Sequence, residues 1–595
     1  MYLALVQFNP KTGALRLNAQ RMLELVDELA ELPYPPDLVV FPAYALTGVR
    51  VGGLLHHDAF AAECMDVTRE LIAKLQLPTL FGAMIPRPLE DRYSFVCEPE
   101  VIYCRDGSGG ALGFVDIHNR WNYDRYAASI DIEIDGSTLT VMLDDFPDPE
   151  DDFTRSNAII IMLAKEYEET ETMLTSSTQL SVLKEHAVTQ GTWVACVNLV
   201  GGQDDSVYDG ASVVIDAEGC VRDSAEAFVE QVLTVNLDLS AGRRSLRGQT
   251  RKDADGMSPN AEQEASHDAK IVRPLLPYEA DWQALVVAIR DYVHKNGFDD
   301  VVLGISGGID SAVTAALAVD ALGPEHVHGI LMPGPYSTPA SVEDAEELAS
   351  LLGMPTVLLP IHDAFSCLCS MSTRAIGSEG SGLARENLQA RLRAVVLMHL
   401  SNTYGWMLLN TGNKSEAAMG YSTLYGDTAG GFAPLGTVYK TDVYGLANWR
   451  NEQSRRIPEA IVAKEPSAEL REGHRDTDSL PPYDVLDRIL RLHIEDGFGV
   501  DEILEVSHEQ AGEQPLDPKL VLSVLSTVSK NEFKRRQEPL SPVFKGIELS
   551  TERGWPVTNG FVDRDRQIAA HADIYGFLGK IYLNDGPQGS DILEN

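Results

Sequence analysis

Hydrophobic and polar positions along the first 240 residues follow a pattern that is typical of an α/β fold. Short apolar runs with strand character recur, and stretches with helical spacing separate several of them. The predicted strands lie at residues 2–8, 37–41, 79–84, 114–117, 138–143, 158–163, 193–199 and 212–215. A first predicted helix covers residues 17–31. The pattern leaves parallel and antiparallel pairing open.

The second half of the chain alternates strands with helices. The predicted strands lie at residues 301–303, 327–332, 356–361 and 406–409, and the predicted helices at residues 279–296, 312–322, 341–352 and 386–402. This alternation predicts a doubly wound parallel sheet, in which the ligand crevice lies at the carboxyl ends of the strands.

A polar segment separates the two halves. Residues 241–270 lack periodicity and contain glycine, proline and charges of both signs, which is typical of a linker. We therefore predict a first domain at residues 1–240, a linker at 241–274 and a second domain at 275–595. The length of 595 residues agrees with this division, because about 150 residues per domain allows roughly two to four domains.

Composition narrows the class of protein. Hydrophobic residues make up 44% of the chain and charged residues 23%, which is typical of a folded globular protein. No apolar run is long enough for a membrane span and the start lacks a signal peptide's basic flank, so we expect no membrane partner and a cytoplasmic location. The net charge of −41 disfavours nucleic-acid binding. Seven irregularly spaced cysteines argue against a disulfide framework.

A loop rich in glycine and serine follows the strand at residues 301–303 and precedes a helix. Its sequence is Gly304-Ile305-Ser306-Gly307-Gly308-Ile309-Asp310-Ser311. Backbone N–H groups and a helix N-terminus bind phosphate, whereas Asp310 would repel it unless a cation such as Mg²⁺ lay between them. The alternative is an ordinary turn that caps a helix. No Walker sequence is present, so the kinase and GTPase classes are not supported.

This loop resembles the pyrophosphate-binding loop of the N-type ATP pyrophosphatases, which adenylate a carboxylate or carbonyl and release pyrophosphate. Later segments are similar to NAD synthetases in order and spacing, over about residues 275 to 560. These segments are Thr411-Gly412-Asn413-Lys414-Ser415-Glu416, Gly420-Tyr421-Ser422-Thr423-Leu424-Tyr425-Gly426-Asp427, Lys440-Thr441 and Pro466-Ser467-Ala468-Glu469-Leu470. Taken alone, the first segment is also compatible with a capped polar helix start.

The resemblance implies roles for individual residues. Residues 304–311 would hold the ATP pyrophosphate, and Thr411, Lys440 and Ser467 would also contact ATP. Asp310 and Glu416 would carry Mg²⁺, and together with Lys440 they would be the catalytic residues. The residues implied for deamido-NAD are Asn387, Arg391, Glu416 and Lys534. The chain departs from the family at Gly436-Thr437 and His474, which bears on fine substrate contacts.

The first 240 residues resemble the nitrilase-type amidase domain of glutamine-dependent NAD synthetases, which implies an α-β-β-α sandwich. The similar segments are Leu3-Ala4-Leu5-Val6-Gln7-Phe8-Asn9-Pro10, Leu38-Val39-Val40-Phe41-Pro42, Val197-Asn198-Leu199-Val200-Gly201-Gly202-Gln203-Asp204 and Asp209-Gly210-Ala211-Ser212. Amidases of this type use a cysteine nucleophile, a glutamate base and a lysine.

All three amidase residues are missing from the positions where the family pattern places them. Ala43 stands at the glutamate position and Leu143 at the cysteine position, and no lysine occurs between Lys74 and Lys165. We therefore predict that the first domain is catalytically inactive and packs against the second.

These observations together predict an ATP-dependent NAD⁺ synthetase that uses ATP, Mg²⁺, deamido-NAD and ammonia and forms a homo-oligomer. The carboxylate of deamido-NAD would attack ATP to give an acyl-adenylate, and ammonia would then displace AMP. Glutamine as nitrogen donor is doubtful on these residues. Two alternatives remain: a glutamine-hydrolysing synthetase with an unrecognised amidase site, and a scaffold or regulatory protein without catalysis.

Overall fold

The first half of the chain forms two large sheets and a two-stranded ribbon, and the second half forms a third large sheet. The computed structural model describes residues 1–49, 51–88, 95–104, 129–143, 156–168, 177–239, 272–380, 382–509 and 514–543. In chain order the N-terminal elements are β1 (Tyr2–Gln7), α1 (Leu15–Ala30), β2 (Leu38–Val40), α2 (Asp58–Ile72), β3 (Thr79–Pro88), β4 (Phe95–Cys104), β5 (Ser129–Ile134), β6 (Ser137–Leu143), β7 (Ala158–Leu163), α3 (Ser177–Gln190), β8 (Trp193–Asn198), β9 (Val200–Gln203), β10 (Ser206–Asp209), β11 (Val213–Ile215), β12 (Val221–Ser224) and β13 (Gln231–Asn236).

The two N-terminal sheets stack face to face with helices outside. One has the strand order β13-β1-β2-β3-β4 and the other β12-β11-β8-β7-β6-β5, with parallel strands in the middle of each. Side chains alternate between the faces of a strand, so Leu3 and Leu5 lie between the sheets whereas Ala4 and Val6 face α1 and α2. Helix α3 covers the second sheet. This is the predicted α-β-β-α sandwich of a nitrilase-like domain.

The C-terminal half contains one parallel sheet and many helices. Its elements are α4 (Pro277–Lys295), β14 (Val301–Gly304), α5 (Ile309–Leu322), β15 (Val327–Leu331), α6 (Pro339–Leu352), β16 (Thr356–Leu358), α7 (His362–Ile376), α8 (Gly382–Tyr404), β17 (Met407–Leu408), α9 (Lys414–Met419), α10 (Lys440–Gln453), α11 (Glu459–Ala463), α12 (Tyr483–Ile494), α13 (Val500–Glu509), α14 (Pro518–Lys530) and α15 (Glu532–Arg535).

The C-terminal sheet is covered on both faces. Its strand order is β16-β15-β14-β17, and all of its pairs are parallel. Val301 and Leu303 pack in one core with α4, α5 and α10, whereas Val302 faces the opposite way and packs with α8. Strands that are buried on both faces have continuous apolar sequences rather than alternating apolar and polar residues. The predicted doubly wound sheet is therefore confirmed.

A separate helical core lies beside this sheet. Apolar residues of α9, α12, α13 and α14 form it, including Ala418, Leu486, Ile503 and Val524. Helix α9 also carries residues of the candidate site, so the helical core supports that site from behind.

The N-terminal and C-terminal domains meet through α4. The amide of Asn9 donates to Asp291 Oδ2 at 2.7 Å, and the backbone N–H of Gly202 donates to the same oxygen at 2.7 Å. Lys295 Nζ donates to Asn9 Oδ1 and to the carbonyl of Gly202, each at 2.7 Å. Burial lowers the pKa of Lys295 to about 8. Tyr167 of the N-terminal domain belongs to the apolar core around α4, so the two domains share one core.

Most predicted element bounds agree with the structure to within a few residues. The strand at 356–361 is shorter than predicted: β16 ends at Leu358, two residues before Pro360, which has no backbone N–H for a sheet hydrogen bond. The predicted strand at 114–117 and residues 240–271, which hold most of the predicted linker, lie outside the described residues. None of the helices in the described ranges has the length and apolarity to cross a membrane.

Candidate functional site

The predicted phosphate loop, residues 304–311, lies between β14 and α5. Helix α5 begins at Ile309, and its N-cap Gly308 has no side chain to accept the first free N–H groups of the helix. Ser306 Oγ lies 3.1 Å from Ser311 Oγ and accepts from the backbone N–H of Gly308 at 3.2 Å. Two hydroxyls and the uncapped N-terminus of α5 therefore lie together at this loop, an arrangement that suits an anion.

Gly307 is required in this loop for two physical reasons. Its φ is +74°, which side chains rarely adopt, and an added Cβ would lie 2.3 Å from the carbonyl oxygen of Ser341. Lys464 Nζ lies 3.4 Å from the carbonyl oxygen of Gly307 and donates to Ser341 Oγ at 2.6 Å. The loop, α6 and the segment around Lys464 thus form one rigid group.

Three of the predicted catalytic residues meet at the N-terminus of α5. Lys440 Nζ donates to Asp310 Oδ2 at 2.5 Å and to Glu416 Oε1 at 3.1 Å. Asn413 links the two acidic residues, because its amide nitrogen donates to Asp310 Oδ1 at 2.9 Å and its oxygen accepts from the backbone N–H of Glu416 at 3.0 Å. Residues that lie far apart in the sequence therefore form one charged cluster.

The surroundings of this cluster raise the pKa values of both Glu416 and Lys440, for different reasons. Burial, together with Asp310 and Asp476, raises the pKa of Glu416 to about 8, although Lys440 acts against this shift. Burial opposes the charge of Lys440, but the attraction of Asp310 and Glu416 exceeds it and raises the pKa of the amine above its usual value. Lys440 is 2% exposed and stays charged.

A buried hydrogen-bond chain holds Lys440 in place. The backbone N–H of Lys440 donates to Ser415 Oγ at 2.9 Å, and Ser415 Oγ donates to Asp487 Oδ1 at 2.5 Å. The other oxygen of Asp487 accepts from the backbone N–H of Thr441 at 2.9 Å. The N-cap of α10, Tyr439, supplies no side-chain hydrogen bond. Ser415 on α9 and Asp487 on α12 therefore cap α10 from other helices.

The phosphate loop and the charged cluster line a cavity of about 320 Å³ at the carboxyl ends of β14, β15 and β17. The charged side chains in its lining include Asp310, Glu416, Lys440, Lys464 and Asp476. Its apolar half is formed by Ile330, Met332, Leu397 and Leu408, which pack in one cluster, and Ile305, Pro333 and Ala394 add to the apolar lining. A cavity with one charged and one apolar end suits a nucleotide.

Thr411 and Ser467, which were predicted to contact ATP, also line this cavity. Ser467 Oγ donates to the carbonyl oxygen of His474, and it accepts from the backbone N–H of Glu469 at 3.1 Å. His474 Nε2 lies 3.1 Å from the hydroxyl of Tyr421, another cavity residue. His474 therefore acts on the cavity through the residues that it holds.

Of the four residues predicted for deamido-NAD, Glu416 lines the cavity, whereas the other three contact the loop at residues 420–424. Asn387 Oδ1 accepts from Thr423 Oγ1 at 3.0 Å, Arg391 Nε donates to the carbonyl of Leu424 at 3.1 Å, and Lys534 Nζ donates to the carbonyl of Gly420 at 2.6 Å. These three side chains are not part of the cavity lining. They hold the loop at residues 420–424, and Tyr421 and Ser422 of this loop do line the cavity. The loop therefore lies between the cavity and these three side chains.

The turn at Gly436-Thr437 packs against the end of the described chain. A Cβ at Gly436 would lie 2.0 Å from Ser541 Oγ, and Thr437 Oγ1 donates to the carbonyl of Pro542 at 2.6 Å. This departure from the family pattern therefore has a packing role, because only glycine leaves room for Ser541.

Sequence reasoning missed several cavity residues. Arg393 lines the cavity and donates from Nε to the carbonyl of Met332 at 3.1 Å. Asp427 and Glu538 also line it, and burial raises their pKa values to about 6 and about 7. Asp427 belongs to one of the segments that resemble NAD synthetases, and Arg393 lies two residues after the predicted Arg391. Position in a motif was thus the only available signal.

The amidase positions of the N-terminal domain have a different character. Ala43 and Leu143 are 0% and 2% exposed and lie in the apolar layer between the two sheets. Cys196 is buried in β8, and burial raises the pKa of its thiol far above the usual range. The segment predicted to carry the lysine, residues 118–126, lies outside the described residues.

A parallel sheet with this phosphate loop and this cluster defines the adenylating class of N-type ATP pyrophosphatases, here joined to a nitrilase-like domain. The chain matches the NAD synthase family over residues 281–538. A glutamine-dependent NAD(+) synthetase of Thermotoga maritima is 43% identical over 385 residues, which are 62% of this chain and 65% of that protein. One of Aquifex aeolicus is 36% identical over 584 residues, 94% of this chain and 99% of that protein.

A solved structure extends the similarity to the fold of both domains. It is the glutamine-dependent NAD+ synthetase of Acinetobacter baumannii in complex with ADP, with a TM-score of 0.65 and 29% identity, and the match covers 95% of this chain and 99% of that one. The chain belongs to the family of glutamine-dependent NAD(+) synthetases.

Proposed function

We propose that the protein makes NAD⁺ from deamido-NAD and ATP through an acyl-adenylate, releasing pyrophosphate and AMP. The observation that carries this proposal is the convergence of Lys440, Asp310 and Glu416 at the phosphate loop. A carboxylate is a poor electrophile, so adenylation is needed before an amine can attack it. Lys440 would stabilise negative charge that develops on the phosphate oxygens, in a pocket that substrate closes to water.

The charged cluster fits a divalent cation that binds together with ATP. Two carboxylates from different helices already converge on a single positive nitrogen, at 2.5 and 3.1 Å. Within the described ranges, no group of three or more histidine, cysteine, aspartate or glutamate residues is arranged to hold a metal. Asp310 and Glu416 would hold Mg²⁺ together with phosphate oxygens and water, and the ion would supply positive charge to those oxygens.

We further propose that the nitrogen donor is ammonia. Glutamine hydrolysis by a nitrilase-type domain requires a thiol and a general base, and the two positions that would carry them are Leu143 and Ala43 in an apolar layer. Neither side chain can attack a carbonyl or accept a proton. The N-terminal domain, with a proposed boundary near residue 240, would then serve to cover α4.

Glutamine is the second candidate donor, and the names of the relatives favour it. The two relatives described above are called glutamine-dependent. For this chain that route would need nucleophilic and basic groups other than Ala43 and Leu143.

The deciding experiment supplies the purified protein with ATP, Mg²⁺ and deamido-NAD, with either ammonium or glutamine as sole nitrogen source, and measures NAD⁺ and glutamate. We expect NAD⁺ with ammonium and no glutamate from glutamine. Glutamate release that a thiol-alkylating glutamine analogue blocks would refute ammonia dependence but not NAD⁺ synthesis. Absence of NAD⁺ with both donors would refute the synthetase proposal.

A homo-oligomer is also proposed, through the face made by β16, α7 and α8. Several apolar side chains on these three elements are exposed: Val357, Leu358, Met371, Ile376, Leu383, Val395 and Tyr404. Parallel sheets are normally buried, yet the edge strand β16 is exposed. A second copy is the proposed occupant, because Asn387 and Arg391 lie on α8 and a symmetric contact would enclose the deamido-NAD residues of both copies.

Sedimentation analysis tests the oligomer. Wild-type protein should be a dimer or larger at micromolar concentration, and Val395→Glu should dissociate it. Leu17→Glu, at an exposed leucine of the N-terminal domain, is the matched control and should change nothing. A monomeric wild-type protein would contradict the proposal.

A further inference from the structure

Arg393 occupies an unusual position in the apolar half of the cavity. Its neighbours on the same stripe of α8 are Ala390, Ala394 and Leu397, which all line the cavity at helical spacing. An arginine therefore stands among small and apolar side chains.

The guanidinium of Arg393 is held by one hydrogen bond, and its Nη2 atom lies beside Gly334, where an added Cβ would be 3.1 Å from it. Its Nε donates to the carbonyl oxygen of Met332 at 3.1 Å. In the part of the chain that the structure describes, neither Nη atom has a hydrogen-bond acceptor, and no carboxylate lies within ion-pair distance. Burial lowers the pKa of Arg393, while Glu469 and Asp427 oppose this from farther away. Four N–H groups thus remain for a ligand.

In the free protein the Nη atoms of Arg393 stay accessible to water in the cavity. A ligand that displaces this water must replace its hydrogen bonds. The hydrogen bond to Met332 fixes the plane of the guanidinium, so little freedom is lost when a ligand binds. A ligand with acceptor atoms in the apolar half would complete the hydrogen bonding.

The surroundings indicate which part of a ligand lies there. A phosphate chain would leave the apolar walls around Met332 and Leu397 in contact with charge, whereas a flat ring would bury them. The residue at the start of the phosphate loop supports this, because a Cβ at Gly304 would lie 3.2 Å from Met332 Cε and 3.6 Å from Leu397 Cδ1. The apolar half therefore lies directly beside the phosphate loop. A nucleotide needs this arrangement because its nucleoside is attached directly to its phosphates.

We propose that Arg393 binds the nucleoside end of ATP, donating from its Nη atoms to ring-nitrogen or ribose-oxygen acceptors. This inference rests on the proposed function for its choice of nucleotide. It assigns to Arg393 a binding role that is separate from those of the phosphate loop and of Arg391.

Direct binding measurements with adenosine and with pyrophosphate test the proposal on the full-length protein. Arg393→Met should weaken adenosine binding about 10- to 100-fold, since bonds from a charged donor are lost, and should change pyrophosphate binding less than about 2-fold. Arg393→Lys should also bind adenosine poorly, because lysine lacks the planar fork. Comparison of adenosine with 2′-deoxyadenosine separates ribose from ring acceptors. Loss of pyrophosphate binding with adenosine binding intact would overturn the proposal.

A matched control uses the neighbouring arginine of the same helix. Arg391→Met should raise KM for deamido-NAD and leave adenosine binding unchanged, whereas Arg393→Met should raise KM for ATP. The melting temperature of ligand-free Arg393→Met should stay close to that of the wild type, because only the hydrogen bond to Met332 is lost. A lower melting temperature with unchanged adenosine binding would assign Arg393 a structural role and overturn the proposal. Adenosine binding does not need turnover, so it decides the role of Arg393 even if no NAD⁺ is made.

Discussion

The two domains are built from similar layers of strands and helices, but they differ in what lies where the strands end. In the N-terminal domain, β6 ends at Leu143, inside an apolar layer. In the C-terminal domain, β14 leads directly into the phosphate loop, and the charged cluster of Lys440 lies beside it. The layers determine the fold, and a few side chains at strand ends determine whether the fold can carry out chemistry.

The two strand-end regions also differ in how they affect stability. Leu143 contributes by filling space between two sheets. The cluster of Asp310, Glu416 and Lys440 instead brings three ionisable groups together under partial burial, an arrangement that rarely adds net stability. We infer that substitutions in the first region mainly change stability and those in the second mainly change rate.

The largest expected effect is the loss of adenylation in Asp310→Ala. This variant removes a carboxylate that would help to hold Mg²⁺ and that contacts Lys440 at 2.5 Å. We expect pyrophosphate release to fall about 10³-fold, the scale seen when one charge-stabilising group is removed. The denaturation midpoint should change little. Near wild-type pyrophosphate release would show that Asp310 has no catalytic role.

The opposite outcome is expected for Leu143→Ala. This change leaves a cavity between the sheets, and the free energy of unfolding should fall by about 3 kcal/mol in urea titrations. The rate of NAD⁺ formation with ammonium should stay within about twofold at low temperature. Leu32→Ala, at an exposed leucine, serves as the control and should leave both quantities unchanged. A large loss of rate in Leu143→Ala would remove the contrast between the two regions.

A smaller effect on rate is expected from the hydrogen-bond chain behind Lys440. Ser415→Ala removes the acceptor for the backbone N–H of Lys440. Asp487→Asn replaces one acceptor oxygen with a donor nitrogen. We expect kcat to fall about 10-fold in each, with KM for both substrates little changed, because an interaction specific to the transition state loses alignment. Ser523→Ala on the exposed side of α14 is the control. Equal changes in KM and kcat would point to general loosening of the site.

The smallest effect concerns pH and the contact between the domains. The pKa of Lys295 is about 8 in the folded protein and about 10.5 when unfolded, so the unfolded chain binds more protons between these values. Stability should therefore rise with pH in this window, and from pH 8 to 9 the wild type should gain about 1 kcal/mol relative to Lys295→Met. Urea titrations at both pH values provide the measurement, and Lys74→Met provides an exposed control. A stability difference that does not change with pH would show that Lys295 is not desolvated there.

Much of the fold could be predicted from the sequence because its elements are locally encoded. Continuous apolar runs such as residues 158–163 and 301–303 can hardly be anything but buried strands. Antiparallel edges such as β12 and β13 could not be predicted, because pairing depends on contacts between distant segments. The shortening of β16 before Pro360 was a missed local signal.

Only those residues of the candidate site that lie in a recognisable motif could be predicted from the sequence. Motif resemblance gave Asp310, Glu416 and Lys440, and the structure brings them within hydrogen-bond distance of one another. No spacing in the sequence indicates that Asp487 caps α10 or that Arg393 faces an apolar pocket, because both depend on how helices pack. The separation of Lys534 from the cavity was unpredictable for the same reason.

The contact between the two domains through α4 limits how this protein can evolve. Asp291 and Lys295 have their hydrogen-bond partners in the N-terminal domain, and α4 shares a core with Tyr167. If the gene lost the N-terminal domain, Asp291 and Lys295 would lose these partners and an apolar face of α4 would be exposed to solvent. This holds whether or not the N-terminal domain is catalytic. Selection for solubility alone would preserve the fused gene, while leaving positions such as Ala43 and Leu143 free to drift among apolar residues. The structural dependence of α4 on the N-terminal domain is hard to reverse, because several residues of α4 would have to change together.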